Sequence, residues 1–293
     1  MGAANEKTSF VREIYKNHIA PMLPEGLALK LKFYSKHDYW PNFKQPRSLM
    51  EKIVWLLQND RTPLRATVAD RCKVRDFVKQ TAPDCKMPAH LWVGPEFTRA
   101  VWDSLPDKFV IKGNHGSQMS HIVDKAKDSF ETVQAETRQW LATNYEAFFG
   151  EWVYEHADRV LVVEEKLELN NIIPPDWKFI CGNGRVLMVQ LDIGRFVNHV
   201  RNLYDRDFKL YEGATIAFPL GPKVDKPQAW DKAVAIAEQL AKPFDLIRVD
   251  LYLIGDEVYF GELTNYPGAG WDALKPTALD FELGSKIKLY AAS

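Results

Sequence analysis

The chain has 293 residues, 46% apolar and 26% charged, with a formal net charge of -1. That length buries a sizeable core, as one large domain or two to three small ones, and the near-neutral balance leaves no global electrostatic footprint for nucleic acid or an anionic membrane. Three cysteines, Cys72, Cys85 and Cys181, are odd in number and fit no metal-ligand spacing, which reads as reduced thiols in a cytoplasmic protein.

The first thirty residues mix Lys, Glu, Pro and apolar residues and are expected to form a helix and a loop packed on the body. Tyr39-Trp40-Pro41-Asn42-Phe43 reads as an irregular connection. Ser48-Leu49-Met50-Glu51 is a capping box opening a helix with Ile53, Val54 and Leu57 inward, closed by Asn59 to Pro63. Val74, Phe77 and Val78 predict a second helix over 67–80, ended by Ala82-Pro83-Asp84. The dense strand Phe109-Val110-Ile111-Lys112 runs into a small-residue polar loop, Gly113 to Ser120. Asp128-Ser129-Phe130-Glu131 starts another helix, with Phe130, Val133, Trp140, Leu141, Tyr145 and Phe148 as its buried stripe. Val160 to Val163 is a continuous apolar strand that ends in Glu164-Glu165-Lys166-Leu167. A hairpin is expected from Lys178 to Leu191 around Gly182-Asn183-Gly184, followed by a basic, irregular stretch with Arg195, His199, Arg201 and Arg206. Trp230 to Leu240 is an alanine-rich amphipathic helix. Helices and strands alternate without clean βαβ repetition or internal repeat, so the class is α+β or mixed α/β with substantial antiparallel pairing. No apolar run approaches a membrane span, and no signal-peptide core is present.

The stretch Ile247 to Asn265 carries two β-rich runs around the turn signal Gly255-Asp256. Alternation puts Arg248, Asp250 and Tyr252 on one face and Val249, Leu251 and Leu253 on the other. On the second run Phe260, Glu262 and Thr264 share a face. An arginine and two acids opposite an apolar half are expensive to bury unless something charged sits between them. A divalent cation with a phosphate is one solution, and a solvated face with an Arg–Glu pair is the other. Lys112, at a strand end before a small-residue loop, can reach phosphate oxygens while loop N–H groups close over them, or simply reach solvent. Glu164 to Leu167 could present a backbone edge to a purine, or be solvated charge. Asp250 and Glu262 are hard oxygen donors of the kind Mg²⁺ prefers. Walker-type, Rossmann, zincin, serine-hydrolase and kinase motifs are all missing.

Taken in order, several segments resemble the ATP-grasp superfamily, and within it the TupA-like branch. They are Trp40-Pro41, Glu51-Lys52-Ile53 with Trp55, Ala69-Asp70 with Val74-Arg75-Asp76, and Leu105-Pro106 through Lys112 with the Asn114-His115-Gly116-Ser117 loop. Glu164-Glu165, Asp176-Trp177-Lys178-Phe179, Arg248 to Tyr252 and Phe260 to Thr264 complete the set. The resemblance implies an α+β ATP-grasp fold. A mainly helical N-terminal domain would span 1–105, a small lobe 106–169, and a C-terminal lobe with the metal hairpin 170–293, with ATP clamped between the lobes.

By the same resemblance Lys112, Lys178 and Arg248 are catalytic, and Mg²⁺ is held by Asp250 and Glu262 with Thr264 or Asn265. ATP is bound by Arg71 (or Lys73), Lys112, Asn114, His115, Gly116, Ser117, Lys178 and the adenine edge Glu164, Glu165, Lys166 and Leu167. Arg195, His199 and Arg201 could bind an acidic acceptor or form a solvated basic loop. The implied reaction is ADP-forming carboxylate–amine ligation through an acyl phosphate. It would join an amino acid to a uronic-acid carboxylate, small or glycan-linked, in bacterial surface-polysaccharide biosynthesis. An inactive nucleotide-binding scaffold and a glycosyltransferase-like enzyme are the alternatives. The metal reading also predicts a register. Asp250 faces Glu262, and Arg248 faces Thr264, only through a three-residue loop Gly255-Asp256-Glu257 or an equivalent bulge.

Overall fold

A computed structural model describes residues 24–144, 150–168, 173–194 and 198–290. Four helices come first: α1 (Glu25–His37), α2 (Leu49–Asn59), α3 (Pro63–Ala69) and α4 (Val74–Thr81). The capping box forms as expected: Ser48 Oγ accepts from the Glu51 N–H and the Glu51 carboxylate accepts from the Ser48 N–H, both at 3.1 Å. The single helix expected over 67–80 is instead two. Asp70 Oδ1 accepts from the N–H groups of Cys72 and Lys73 at 2.9 and 3.0 Å, offering the backbone a turn in place of a continuous helix.

The next unit comprises β1 (His90–Gly94), α5 (Arg99–Ser104), β2 (Lys108–Gly113), β3 (Ser120–Asp124), α6 (Phe130–Ala142) and β4 (Leu161–Glu165). Its strands make an antiparallel sheet in the order β1-β4-β2-β3. Phe97, Trp102, Phe109, Phe130 and Val163 form its core. The boundary expected at residue 105 therefore falls inside this unit, because β1 and α5 belong to the same sheet and core. Of the stripe expected on α6, Tyr145 and Phe148 lie outside the described residues.

The larger unit runs through β5 (Asp176–Gly182), β6 (Arg185–Ile193), β7 (Val200–Tyr204), β8 (Thr215–Ile216), α7 (Trp230–Ala241), β9 (Leu246–Ile254), β10 (Glu257–Thr264), β11 (Leu274–Lys275) and α8 (Thr277–Ser285). Five of these strands form an antiparallel sheet in the order β10-β9-β5-β6-β7. β7 occupies part of the stretch expected to be irregular. On one face Trp177, Phe179, Val249 and Leu251 pack with α7 and α4; on the other, Ile180, Met188 and Leu246 pack with α2 and α8. The second face, beyond its apolar patch, carries the charged cluster described below. The segment before β1 crosses over the free edge of β10, where Lys86 N–H donates to Val258 O at 2.9 Å and Phe260 N–H donates to Lys86 O at 2.7 Å. No helix among the described residues is long and apolar enough to cross a membrane.

Candidate active site

Alternation along three strands brings the charged groups to one face. Glu262, Asp250, Lys178 and Gln190 stand in a row across β10, β9, β5 and β6. The expected pairs Asp250–Glu262 and Arg248–Thr264 both occur, but the connection is the two-residue turn Gly255-Asp256, with Ile254 opposite Glu257. A bulge at Gly261, between Phe260 and Glu262, supplies the extra residue. A Cβ on Gly261 would lie 2.9 Å from the Asp250 carbonyl. The bulge also reverses the alternation, so Phe260 joins Val258 and Leu263 in the core while Glu262 and Thr264 face the cavity. The expectation that Phe260 shares a face with Glu262 is thus corrected.

The charges interlock. Arg248 donates from Nε and Nη2 to the two oxygens of Asp250, each at 2.7 Å, and from Nη2 to Glu262 at 3.3 Å. Lys178 is hydrogen-bonded to Asp176 and lies 3.4 Å from Asp250 and 3.7 Å from Asp192. Burial pushes the Asp250 carboxyl above its usual range, against the pull of Arg248 and Lys178. Burial also acts upward on Glu262, but Arg71, Arg248 and Lys178 outweigh it and hold the carboxyl at about 2.

Across the cavity, Lys112 at the end of β2 donates to Glu164 on β4 at 2.5 Å. Glu164 is held at about 2 because the Lys112 charge, then His90 and Arg71, overcome its burial. Arg71, from the turn between α3 and α4, joins the two walls. Its Nε donates to Gly113 O at 3.1 Å, an Nη to Gly116 O at 3.4 Å, and its other Nη lies 3.5 Å from Glu262. Lys73, the alternative to Arg71, is paired with Asp70 and Asp158 outside the cavity.

Several expected ligands sit elsewhere. Asn114 is fully buried, accepting from Arg71 N–H at 2.7 Å and donating to Asp158 O at 3.0 Å, so it fastens the loop rather than facing a ligand. His115 is also buried, with Nε2 2.9 Å from Trp140 O, tying the loop to α6. Asn265 is buried against Arg65, donating to its carbonyl at 2.9 Å, whereas Thr264 Oγ1 donates to Glu262 at 3.0 Å on the cavity side. Arg201 is buried, and its Nε donates to Asp192 at 2.5 Å; His199 lies 3.2 Å from the same carboxylate. Arg201 is therefore not the free cation an acidic acceptor needs, because Asp192 already pairs with it. Arg195 lies outside the described residues.

Arg248, Asp250, Glu262, Lys178, Lys112, Glu164, Arg71 and Ser117 line one cavity of about 510 Å³. Beside it, Glu165, Lys166 and Leu167 line another of about 390 Å³ with Val110, Ile122 and Tyr252. Sequence reading quoted Asp176 but gave it no site role, though its spacing from Lys178 places both on one strand face, and it missed Glu151 and Asp272, which no motif flags. Among the described residues no three His, Cys, Asp or Glu side chains are arranged to cage a metal. Two carboxylates opposite one another, with a hydroxyl beside them, nevertheless suit Mg²⁺, which takes few protein ligands and completes its shell with phosphates and water.

An α+β fold with two antiparallel sheets walling a charged cavity is the architecture these elements define. The chain belongs to the TupA-like ATPgrasp family, whose model matches residues 51–288. Among solved structures it is similar to a D-alanine–D-alanine ligase from Bacillus anthracis, at 16% identity and TM-score 0.43, covering 69% of this chain and 58% of that one. The corresponding ligase from Helicobacter pylori aligns at 13% identity and TM-score 0.44, over 83% and 70%. The ATP-grasp ligase PsnB, complexed with minimal precursor, aligns at 9% and 0.43, over 76% and 61%. The chain thus spans less than two thirds of the length of the Bacillus anthracis enzyme. A search of curated proteins finds no match.

Proposed function

We propose that the cavity binds ATP and Mg²⁺ and that the protein is an ADP-forming carboxylate–amine ligase. The observation that carries this reading is the row Glu262–Asp250–Lys178, bound to Arg248 and facing Lys112–Glu164 across a single cavity. Asp250 and Glu262, with Thr264 alongside, would hold magnesium, which when bound offsets phosphate charge. Lys112 and Lys178 are set on opposite walls to neutralise phosphoryl oxygens. Arg71 brings a fork-shaped cation to the loop that follows β2, in keeping with phosphate recognition. The adenine edge belongs to 165–167, beside the apolar surface of Val110, Ile122 and Tyr252.

Such chemistry needs positioning and charge neutralisation more than a covalent nucleophile. The carboxylate substrate attacks the γ-phosphorus and ADP leaves. The amine then attacks the acyl phosphate, and phosphate leaves as the amide forms. Arg248, half-buried and bidentate on Asp250, is fixed to stabilise the oxyanion of that second step. For substrates we assign an amino acid joined to a uronic-acid carboxylate, in the making of a bacterial surface polysaccharide in the cytoplasm.

Purified protein with ATP, Mg²⁺, a uronic acid and a panel of amino acids tests the reading. ADP release dependent on both co-substrates, with hydroxylamine trapping an acyl phosphate, is the expected result. Tight ATP binding without turnover across a broad panel would sink the ligase and favour a scaffold.

A further inference from the structure

Helix α1 buries one apolar face and leaves a second one outside. Phe33 and His37, one turn apart, are 0% and 2% exposed and fill the inward face. Leu27, Lys30, Leu31 and Tyr34 are spaced three or four apart, so they are neighbours on another face. Leu27 and Tyr34 are 39% and 50% exposed, and Lys30 and Leu31 are half-buried. Trp40, just beyond the helix, is 48% exposed, and its ring lies 6.1 Å from that of Tyr34. The patch therefore continues from α1 into the turn that follows. Exposed apolar side chains scattered singly are ordinary, whereas a contiguous group of them marks a contact surface.

The charge around this patch is one-sided. Lys30, Lys32, Lys36, Lys44 and Arg47 stand against Glu25 and Asp38, in a chain whose net charge is -1. Among the described residues none of these five cations forms an ion pair, and Asp38 is taken by Lys275 at 2.7 Å. Lys32 and Lys36 are one turn apart, a like-charged spacing that disfavours the free helix. A partner for this face must be negative and must also offer an apolar layer. A soluble acidic polymer would meet the lysines and leave Leu27 and Leu31 in water. An apolar protein surface would leave the cations uncompensated. The boundary of an anionic bilayer meets both needs: headgroup phosphates take the lysines, Trp and Tyr keep one end wet, and leucine reaches the acyl region.

We propose that α1 and the turn after it form a docking surface for an anionic lipid bilayer, on which the protein lies without crossing it. The surface is tied to the wall of the candidate active site. His37 Nε2 is 2.9 Å from Gly270 O, and Lys32 Nζ rests 3.8 Å from the centre of the Trp271 ring, which lines the 510 Å³ cavity. A docked membrane is thus held beside the end of the cavity that Trp271 lines. The proposal is independent of the ligase reading, because vesicle binding requires no nucleotide.

Co-sedimentation of the full chain with vesicles of phosphatidylcholine, alone or with about 30% phosphatidylglycerol, tests this at about 0.1 M salt. The anionic vesicles are expected to bind about tenfold or more tightly than the neutral ones, and to lose about fivefold or more in about 0.5 M salt. Lys30→Glu with Lys36→Glu should weaken vesicle binding by about tenfold or more. Tyr34→Ser with Trp40→Ser should weaken it by about fivefold or more, and both double variants should keep the urea midpoint of the parent. No vesicle binding, equal binding to neutral and anionic vesicles, or an unchanged affinity in either double variant overturns the proposal. Two further outcomes overturn it in favour of another occupant. Polyglutamate bound as tightly as the anionic vesicles, and lost only in the lysine variant, assigns the face to a soluble acidic polymer. A doubled mass in sedimentation velocity, abolished by the Tyr34→Ser and Trp40→Ser pair, assigns it to a second copy of the chain.

Discussion

Glu262 and Glu151 line one cavity, yet their surroundings shift their pKa values in opposite directions, Glu262 down and Glu151 up. Glu262 is 39% exposed and surrounded by Arg71, Arg248 and Lys178. Removing its charge while keeping its shape should therefore test function with little effect on folding. Glu262→Gln is expected to lower ADP release by about 10²–10³-fold, the scale of losing one preorganised electrostatic group. Full activity in this variant, or in Asp250→Asn, would sink the metal assignment. Glu151 behaves differently. Its folded pKa of about 7 lies above the value of 4.5 for a free carboxyl, so the folded state binds more protons between those two pH values. Stability therefore falls as pH rises from about 4.5 to 7, and the deficit persists above 7. Glu151→Gln removes the buried charge and should raise stability at pH 8 by about 1–3 kcal/mol, with no gain at pH 4. Urea melts at the two pH values measure this, and an equal change at both would refute the buried-charge account.

The element that sets the site is the β9–β10 hairpin, and two of its glycines have separate duties. Gly255 lies in the turn at φ +62 with open space around it, whereas a Cβ at Gly261 would press on the Asp250 carbonyl and come within 3.3 Å of the Tyr252 ring. Gly255→Ala should lose about 1 kcal/mol from left-handed strain and keep ATP affinity. Gly261→Ala should lose about 1–3 kcal/mol from overpacking and weaken Mg²⁺-dependent ATP binding, because the bulge aligns Glu262 with Asp250. Equal ATP affinities in the two variants would show that the bulge does not set the alignment. Asp250 opposite Glu262 was legible in the sequence, since a shared metal demands one face. The device was not, because a longer loop and a bulge yield the same pairing, and only backbone contact at Gly261 separates them. β7 escaped notice because Arg201 and Asn202 interrupt its apolar character, their burial being compensated by Asp192 and by the carbonyls of Ile216 and Pro222, none of them on β7 itself. Asn114 and His115 have the polarity of phosphate ligands, yet their partners, Arg71, Asp158 and Trp140, come from other elements.

At the scale of the molecule, two arginines six residues apart join the helical region to the sheets in different ways. Arg65 is 1% exposed. It is ion-paired with Asp60, donates to Asp245 at 2.7 Å and Leu246 O at 3.2 Å, and reaches Asn265 at 3.3 Å. That network fastens α3 to the start of β9 and the end of β10. Arg71 instead spans open cavity, from the loop after β2 to Glu262. A buried charge network broken at one member leaves its partners uncompensated, so Arg65→Met should lose about 3–5 kcal/mol. The fraction that still folds should keep its ATP affinity within about twofold, since Arg65 lies outside the cavity and an equilibrium constant counts only folded protein. Arg71→Met forfeits partly solvated hydrogen bonds and should lose only about 1–2 kcal/mol of stability. Its ATP affinity should fall by about tenfold or more, because the proposed phosphate site loses a forked donor. Urea denaturation and ATP titration of both variants give four numbers. A stability loss in Arg71→Met as large as in Arg65→Met, with unaltered ATP affinity, would make Arg71 a second structural clamp and move the phosphate contact to Lys112 and Lys178 alone.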